Sequence, residues 1–158
     1  MQSKKIQLLA VCIIACLAAG FIGSIFTVSN IPTWYASIKK PEFTPPNWVF
    51  GPVWTTLYIL MGIALFLVLE NGWNEKTRLP TAVFGLQLVL NTFWSILFFG
   101  YNLLFLAFVE IILLWLSIIA TIFLFYKVSK KAALLLVPYL LWVSFASFLT
   151  YSVWVLNA

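Results

Sequence analysis

Histidine is missing altogether from this 158-residue chain, and only two cysteines are present. Without imidazole there is no His-ligated haem, no His-bearing zinc site and no His proton relay. Cys12 and Cys16 sit at i, i+4 on one helical face. That is a poor geometry for a disulfide, so they read as small apolar core residues. Charge is scarce too, at 8% of residues, with four acids against nine bases. Soluble domains carry about 25% charged residues, so this chain has too little polar surface to coat a water-facing sphere. No paired carboxylates, phosphate-binding glycine loop, cysteine cluster or nucleophile–base pair is visible, so no metal site is expected and no cofactor is required. The net charge of +5 is not a nucleic-acid signature, because the basic residues form no patch.

What the chain has in quantity is apolar sequence, 64% of its residues, in five long runs: Ile6–Val28, Trp48–Leu69, Pro80–Phe99, Leu103–Tyr126 and Ala132–Leu156. At about 1.5 Å per helical residue, each reaches about 30 Å or more, enough to cross the hydrocarbon core of a bilayer. Backbone groups in lipid must be satisfied internally, which makes the runs helices, and the alternation of a membrane β-barrel is absent. The fold expected is an all-α integral membrane protein, a compact five-helix bundle forming a single domain over residues 1–158. Lys4 and Lys5 before an apolar stretch ending near Cys16 loosely resemble a cleavable leader. The run continues to Val28 and four more follow, so the segment is read as a retained helix.

If the spans alternate, Lys4, Lys5, Lys76, Arg78, Lys127, Lys130 and Lys131 share one membrane face and only Lys39 and Lys40 lie on the other. The positive-inside rule then predicts a cytoplasmic N-terminus. The spans show no internal similarity, which counts against a repeat-built transporter. Three connections, Glu70–Leu79, Gly100–Asn102 and Val128–Lys131, are short and polar, implying antiparallel neighbours. The first connection, Ser29 to Asn47, is long and rich in proline and aromatics. Such loops are usually lids or binding loops, and Pro41, Pro45 and Pro46 limit its freedom. An interfacial aromatic belt formed by Trp34, Tyr35, Phe43 and Trp48 is the alternative, and the two are compatible.

Helical arithmetic places Ala15, Ala19 and Gly23, with Gly20 and Ser24 beside them, in a small-residue seam suited to close packing, either within the bundle or between protomers. Trp54, Tyr58, Met61 and Gly62 share one face of the second span. Gln87, Asn91, Trp94 and Ser95 share one of the third, and Tyr139, Trp142, Ala146, Leu149 and Thr150 one of the fifth. Such mixtures of indole and hydrogen-bonding groups belong in a bundle interior, either as a dry packed core or as a pocket for a flat apolar ligand. The amides of Gln87 and Asn91 are costly in an apolar span unless hydrogen-bonded. Glu110, on a face with Ser117 and Thr121, reads as a protonated or interfacially hydrated acid in preference to a coupling-ion site.

Trp34-Tyr35, Lys40-Pro41, Pro45-Pro46, Trp48 through Thr55 and Leu57-Tyr58 resemble the tryptophan-rich sensory protein/translocator protein (TspO/MBR) family. So do Gln87-Leu88, Leu90-Asn91, Trp94 and Phe98-Phe99-Gly100, and, in the fifth span, Pro138-Tyr139-Leu140, Trp142, Phe145-Ala146 and Leu149. The resemblance implies a five-helix fold, commonly a homodimer, with a cavity closed by the first loop. It implies porphyrin, chiefly protoporphyrin IX, as ligand or substrate, and sterol or other lipid as a further partner. It also implies, as an alternative, light- and oxygen-dependent porphyrin breakdown, with Trp54 and Trp142 in the catalytic positions. Ligand positions of the family correspond to Trp34 at the cavity mouth, Gly51, Trp54, Tyr58, Asn91, Trp94, Trp115, Trp142, Ala146 and Leu149. Two departures stand out: Thr150 takes the place of the family's usual Asn, and no basic residue follows Tyr151 as the sterol-recognition pattern requires. Leu124, Tyr126 and Lys130 fit that weak pattern elsewhere. The partners expected for the propionates of such a ligand are Lys39 or Lys40, or lid backbone N–H groups.

Overall fold

The computed structural model describes residues 2–158. Its regular elements are all helices: α1 (Gln2–Asn30), α2 (Trp34–Ser37), α3 (Asn47–Leu69), α4 (Glu75–Ser95), α5 (Leu104–Val128), α6 (Lys130–Leu135) and α7 (Val137–Asn157). A π-helical turn, Ile96–Gly100, extends α4. Five segments are long and apolar enough to span a membrane: α1, α3, α4 with its π turn, α5, and α6 with α7.

The third span starts at Glu75, five residues before the apolar run. Asn74 forms a capping box with Thr77: its side chain accepts from the Lys76 N–H at 2.9 Å while its own N–H donates to the Thr77 hydroxyl at 3.0 Å. These bonds satisfy helix-end donors that hydropathy does not register. Gly72, at φ +86°, supplies the left-handed residue that turns the chain back after α3. The fifth span breaks at Leu136. Pro138 cannot donate to a preceding carbonyl, and its ring displaces that turn of helix, so α6 and α7 are separate helices rather than one run.

The π turn lies at the far end of the third span. The Tyr101 N–H donates to the Ile96 carbonyl at 2.9 Å, five residues back. The wider turn keeps Leu97, Phe98 and Phe99 all buried. π-bulges of this kind occur frequently at functional sites. The first helix is the least embedded, with only Cys12, Cys16 and Gly23 buried. Its small residues serve contacts within the bundle: the Thr92 hydroxyl donates to the Ala19 carbonyl at 3.2 Å, and Gly23 faces Ser95. Ala15, placed in the same seam by spacing, is exposed.

Candidate functional site

Between α1, α3, α4 and α7, at the end covered by the first loop, lies a cavity of about 510 Å³, within the roughly 300–1,000 Å³ of small-molecule sites. Its walls are mostly aromatic. Trp54 and Tyr58 of α3 stack on each other at 5.6 Å between ring centres. Trp94 stacks on Phe98 at 5.1 Å, and Trp142 meets Phe50 edge-on at 6.0 Å. The Nε1 atoms of Trp94 and Trp142 are occluded and make no hydrogen bond among the described residues. Both indoles therefore serve the wall as apolar rings.

The polar floor is a directional chain of hydrogen bonds joining three helices. The Tyr58 hydroxyl donates to Asn91 Oδ1, Asn91 Nδ2 donates to the Tyr139 hydroxyl at 2.8 Å, and that hydroxyl donates to Gln87 Oε1 at 2.8 Å. Every member is buried. The two amides that looked costly in an apolar span are thus satisfied within the protein. Only Tyr58 and Asn91 touch the cavity, with Tyr139 and Gln87 behind them holding the Asn91 amide in one orientation.

Of the residues singled out from sequence, Gly51, Trp54, Tyr58, Asn91, Trp94, Trp142, Ala146 and Leu149 line the cavity together, and Thr150 joins them. Trp34 and Trp115 do not. Trp34 packs edge-on against Phe98 and Phe99, leaving its neighbour Tyr35 on the lining. Trp115 belongs to α5, which contributes nothing to the cavity; its N–H donates to the Ser144 hydroxyl at 2.8 Å and ties α5 to α7. The α5 residue Glu110 is also off the cavity, buried with neither carboxyl oxygen hydrogen-bonded among the described residues.

The first span is more than a packing helix. Leu17, Gly20, Phe21, Ser24, Thr27 and Val28 form one whole wall. Phe21, Val28 and Trp48 line the cavity while remaining largely exposed on the bundle surface. The cavity is therefore open sideways, between α1 and the start of α3, toward the surface that faces lipid.

The first loop is fastened on the opposite side. Asn157, near the end of α7, accepts from the Lys39 N–H at 3.0 Å and donates to the Lys39 carbonyl at 2.8 Å. Phe43 stacks on Phe148 at 5.2 Å. The Lys40 ammonium donates to the carbonyls of Tyr35 and Ile38, at 2.6 and 3.1 Å, and lies over the Tyr35 ring. That cation is committed to its own loop, and neither Lys39 nor Lys40 lines the cavity. Asn157→Ala removes both bonds to the loop. At about 1 kcal/mol net per bond, hydrogen exchange at the Lys39 amide is expected to quicken by about fivefold or more, with α3 amides unchanged.

Comparison with known proteins places this architecture. The TspO/MBR family model matches residues 12–155. The chain is 47% identical over 157 residues to the tryptophan-rich protein TspO of Chlorobaculum tepidum, covering 99% of both chains. It is 51% identical over 146 residues to the protein of that name from Archaeoglobus fulgidus, covering 92% of this chain and 94% of the relative. To the human translocator protein it is 42% identical over 136 residues, covering 85% of this chain and 80% of the relative. With these matches running nearly end to end over a five-span helical bundle, the chain belongs to the TspO/MBR family of membrane proteins.

Proposed function

We propose that the cavity binds a planar hydrophobic tetrapyrrole of the protoporphyrin type. The observation that carries this reading is a chamber of about 510 Å³ walled by the rings of Trp54, Tyr58, Trp94 and Trp142, with few polar groups at its base. Aromatic faces favour flat polarizable ligands through stacking and apolar burial together. No lysine or arginine lines the chamber, so a ligand carboxylate would project out of the open side rather than pair inside. A ligand this apolar partitions into lipid, and the opening between α1 and α3 would admit it from there while the loop stays fastened to α7. The lysine-rich face is assigned to the cytoplasm by the positive-inside rule, which puts the loop and the cavity end on the opposite side.

Titrating protoporphyrin IX into the detergent-solubilised protein should quench tryptophan emission saturably and shift the Soret band. Trp54→Phe/Trp142→Phe is expected to weaken binding by about 10- to 30-fold, as each smaller ring forfeits about 1 kcal/mol of stacking and burial. Affinity unchanged in the double variant would remove these two indoles from the ligand and sink the proposed placement.

A further inference from the structure

On the outer face of the bundle, sharing no lining residue with the cavity, a second concavity lies between the last three turns of α5 and the first turn of α7. Ile119, Ile122, Phe123, Tyr126 and Leu140 form it, and its surface is wholly apolar. From Ile119 to Tyr126 it follows α5 for about 10 Å. The break at Leu136 begins α7 afresh just before Leu140 and so sets one wall of this groove.

The end of the groove nearest the water is positively charged. Lys127 places its ammonium 4.5 Å from the Phe123 ring centre, and Lys130 places its own 5.5 Å from that of Tyr126. Both rings are groove walls, so the cations sit at its rim, with Lys131 following in sequence. None of the three ammonium groups donates a hydrogen bond to a described residue. The one ion pair among the described residues, Lys5 with Glu70 at 3.2 Å, lies elsewhere. An apolar trough closed at its wet end by unpaired cations complements an amphiphile with an acyl chain and an anionic head.

We propose that this groove is a binding site for an anionic phospholipid, its acyl chain lying along Ile119, Ile122 and Leu140 and its phosphate between Lys127 and Lys130. A zwitterionic lipid fits the trough equally well, but its own ammonium offsets the attraction to the lysines. A sterol offers them no charge at all. Basic clusters of this kind at the ends of spans recognise acidic headgroups, with each lysine near the surface contributing about 1 kcal/mol.

The test is native mass spectrometry of the detergent-solubilised protein equilibrated with dioleoyl phosphatidylglycerol or dioleoyl phosphatidylcholine. Two lysines at that strength give the anionic lipid a preference of about 30-fold. Lys127→Gln/Lys130→Gln is expected to bring the two lipids close to parity, and Ile119→Trp, which fills the trough, to reduce retention of both. Lys4→Gln/Lys76→Gln removes the same charge from the same membrane face and should leave the preference intact. Equal retention of the two lipids by the unaltered protein overturns the site. So does an equal loss in the two charge-matched variants, which would assign the preference to the overall field of the basic face. Glycerol 1-phosphate, which has the phosphate and no acyl chain, should fail to compete at concentrations where the lipid saturates; effective competition would also overturn the proposal.

Discussion

Tyr139→Phe is expected to destabilise the bundle by about 2 kcal/mol and to loosen the cavity floor as well, although it removes a single oxygen. The Tyr139 hydroxyl is the middle link between Asn91 and Gln87, accepting from one and donating to the other. Its loss leaves an N–H of Asn91 and the Oε1 of Gln87 unpaired, at residues 3% and 1% exposed. A buried polar group stripped of its partner costs about 1–3 kcal/mol. Interhelical hydrogen bonds in membrane proteins measure nearer 0.6 kcal/mol, because the unfolded chain in lipid also finds partners. Two orphaned groups in a packed interior therefore point to the lower part of the summed range. Thermal unfolding in a fixed detergent measures it. Gln87→Leu placed on top of Tyr139→Phe removes one of the two orphans, so the double variant should be more stable than additivity allows. Strict additivity would mean that the hydroxyl and the amide are not coupled. Ligand affinity should fall as well, since Asn91 is the floor residue whose orientation the chain sets.

The same network shows where sequence is informative and where it stops. The spans were legible because lipid demands long apolar helices, and that demand is written in hydropathy alone. Helical spacing also put Tyr58, Asn91, Trp94, Trp142 and Ala146 on interior faces, since an amide or an indole is disfavoured against lipid. Spacing does not say which interior faces meet. Asn91 and Gln87 lie on one stripe, yet only Asn91 reaches the cavity, and the partner separating them comes from α7. Trp115 lies on a helix that other helices screen from the cavity, a property of bundle order rather than of its own sequence. Trp34 and Tyr35 are adjacent aromatics, and the short helix α2 decides which one turns inward. The π turn rests on the packing of Phe98 and Phe99 against Trp34, Tyr35 and Trp94, long-range contacts with no local signature. The role of α1 was the largest gap. Ala19 and Gly23 do pack closely, while Ala15 is exposed, and an aliphatic wall of Leu17, Phe21 and Val28 reads the same whether it faces lipid or a ligand.

Gly62 is expected to be far less replaceable than Gly51, although both lie on α3. A Cβ at Gly62 would fall 2.6 Å from the Ile13 Cα and 2.9 Å from the Ile13 N, both backbone atoms of α1. A flexible side chain could swing aside from such a contact, but a helix backbone moves only by separating the two helices. That separation would unseat Cys12 and Cys16, two of the three buried residues by which α1 is held. Overpacking in a well-filled interior costs about 1–3 kcal/mol for a small group, so Gly62→Ala should lower the melting temperature clearly, and Gly62→Leu should prevent assembly of α1 with α3. Gly51→Ala meets nothing within 4 Å and gains up to about 1 kcal/mol of helix propensity, so it should match or exceed the unaltered protein. Because α1 also forms a cavity wall, Gly62→Ala should weaken ligand binding from a position that does not touch the cavity, whereas Gly51→Ala, on the lining itself, should change stability little. Equal melting temperatures for the two alanine variants would mean that α1 and α3 do not approach backbone to backbone, and the α1 wall of the chamber would have to be placed elsewhere.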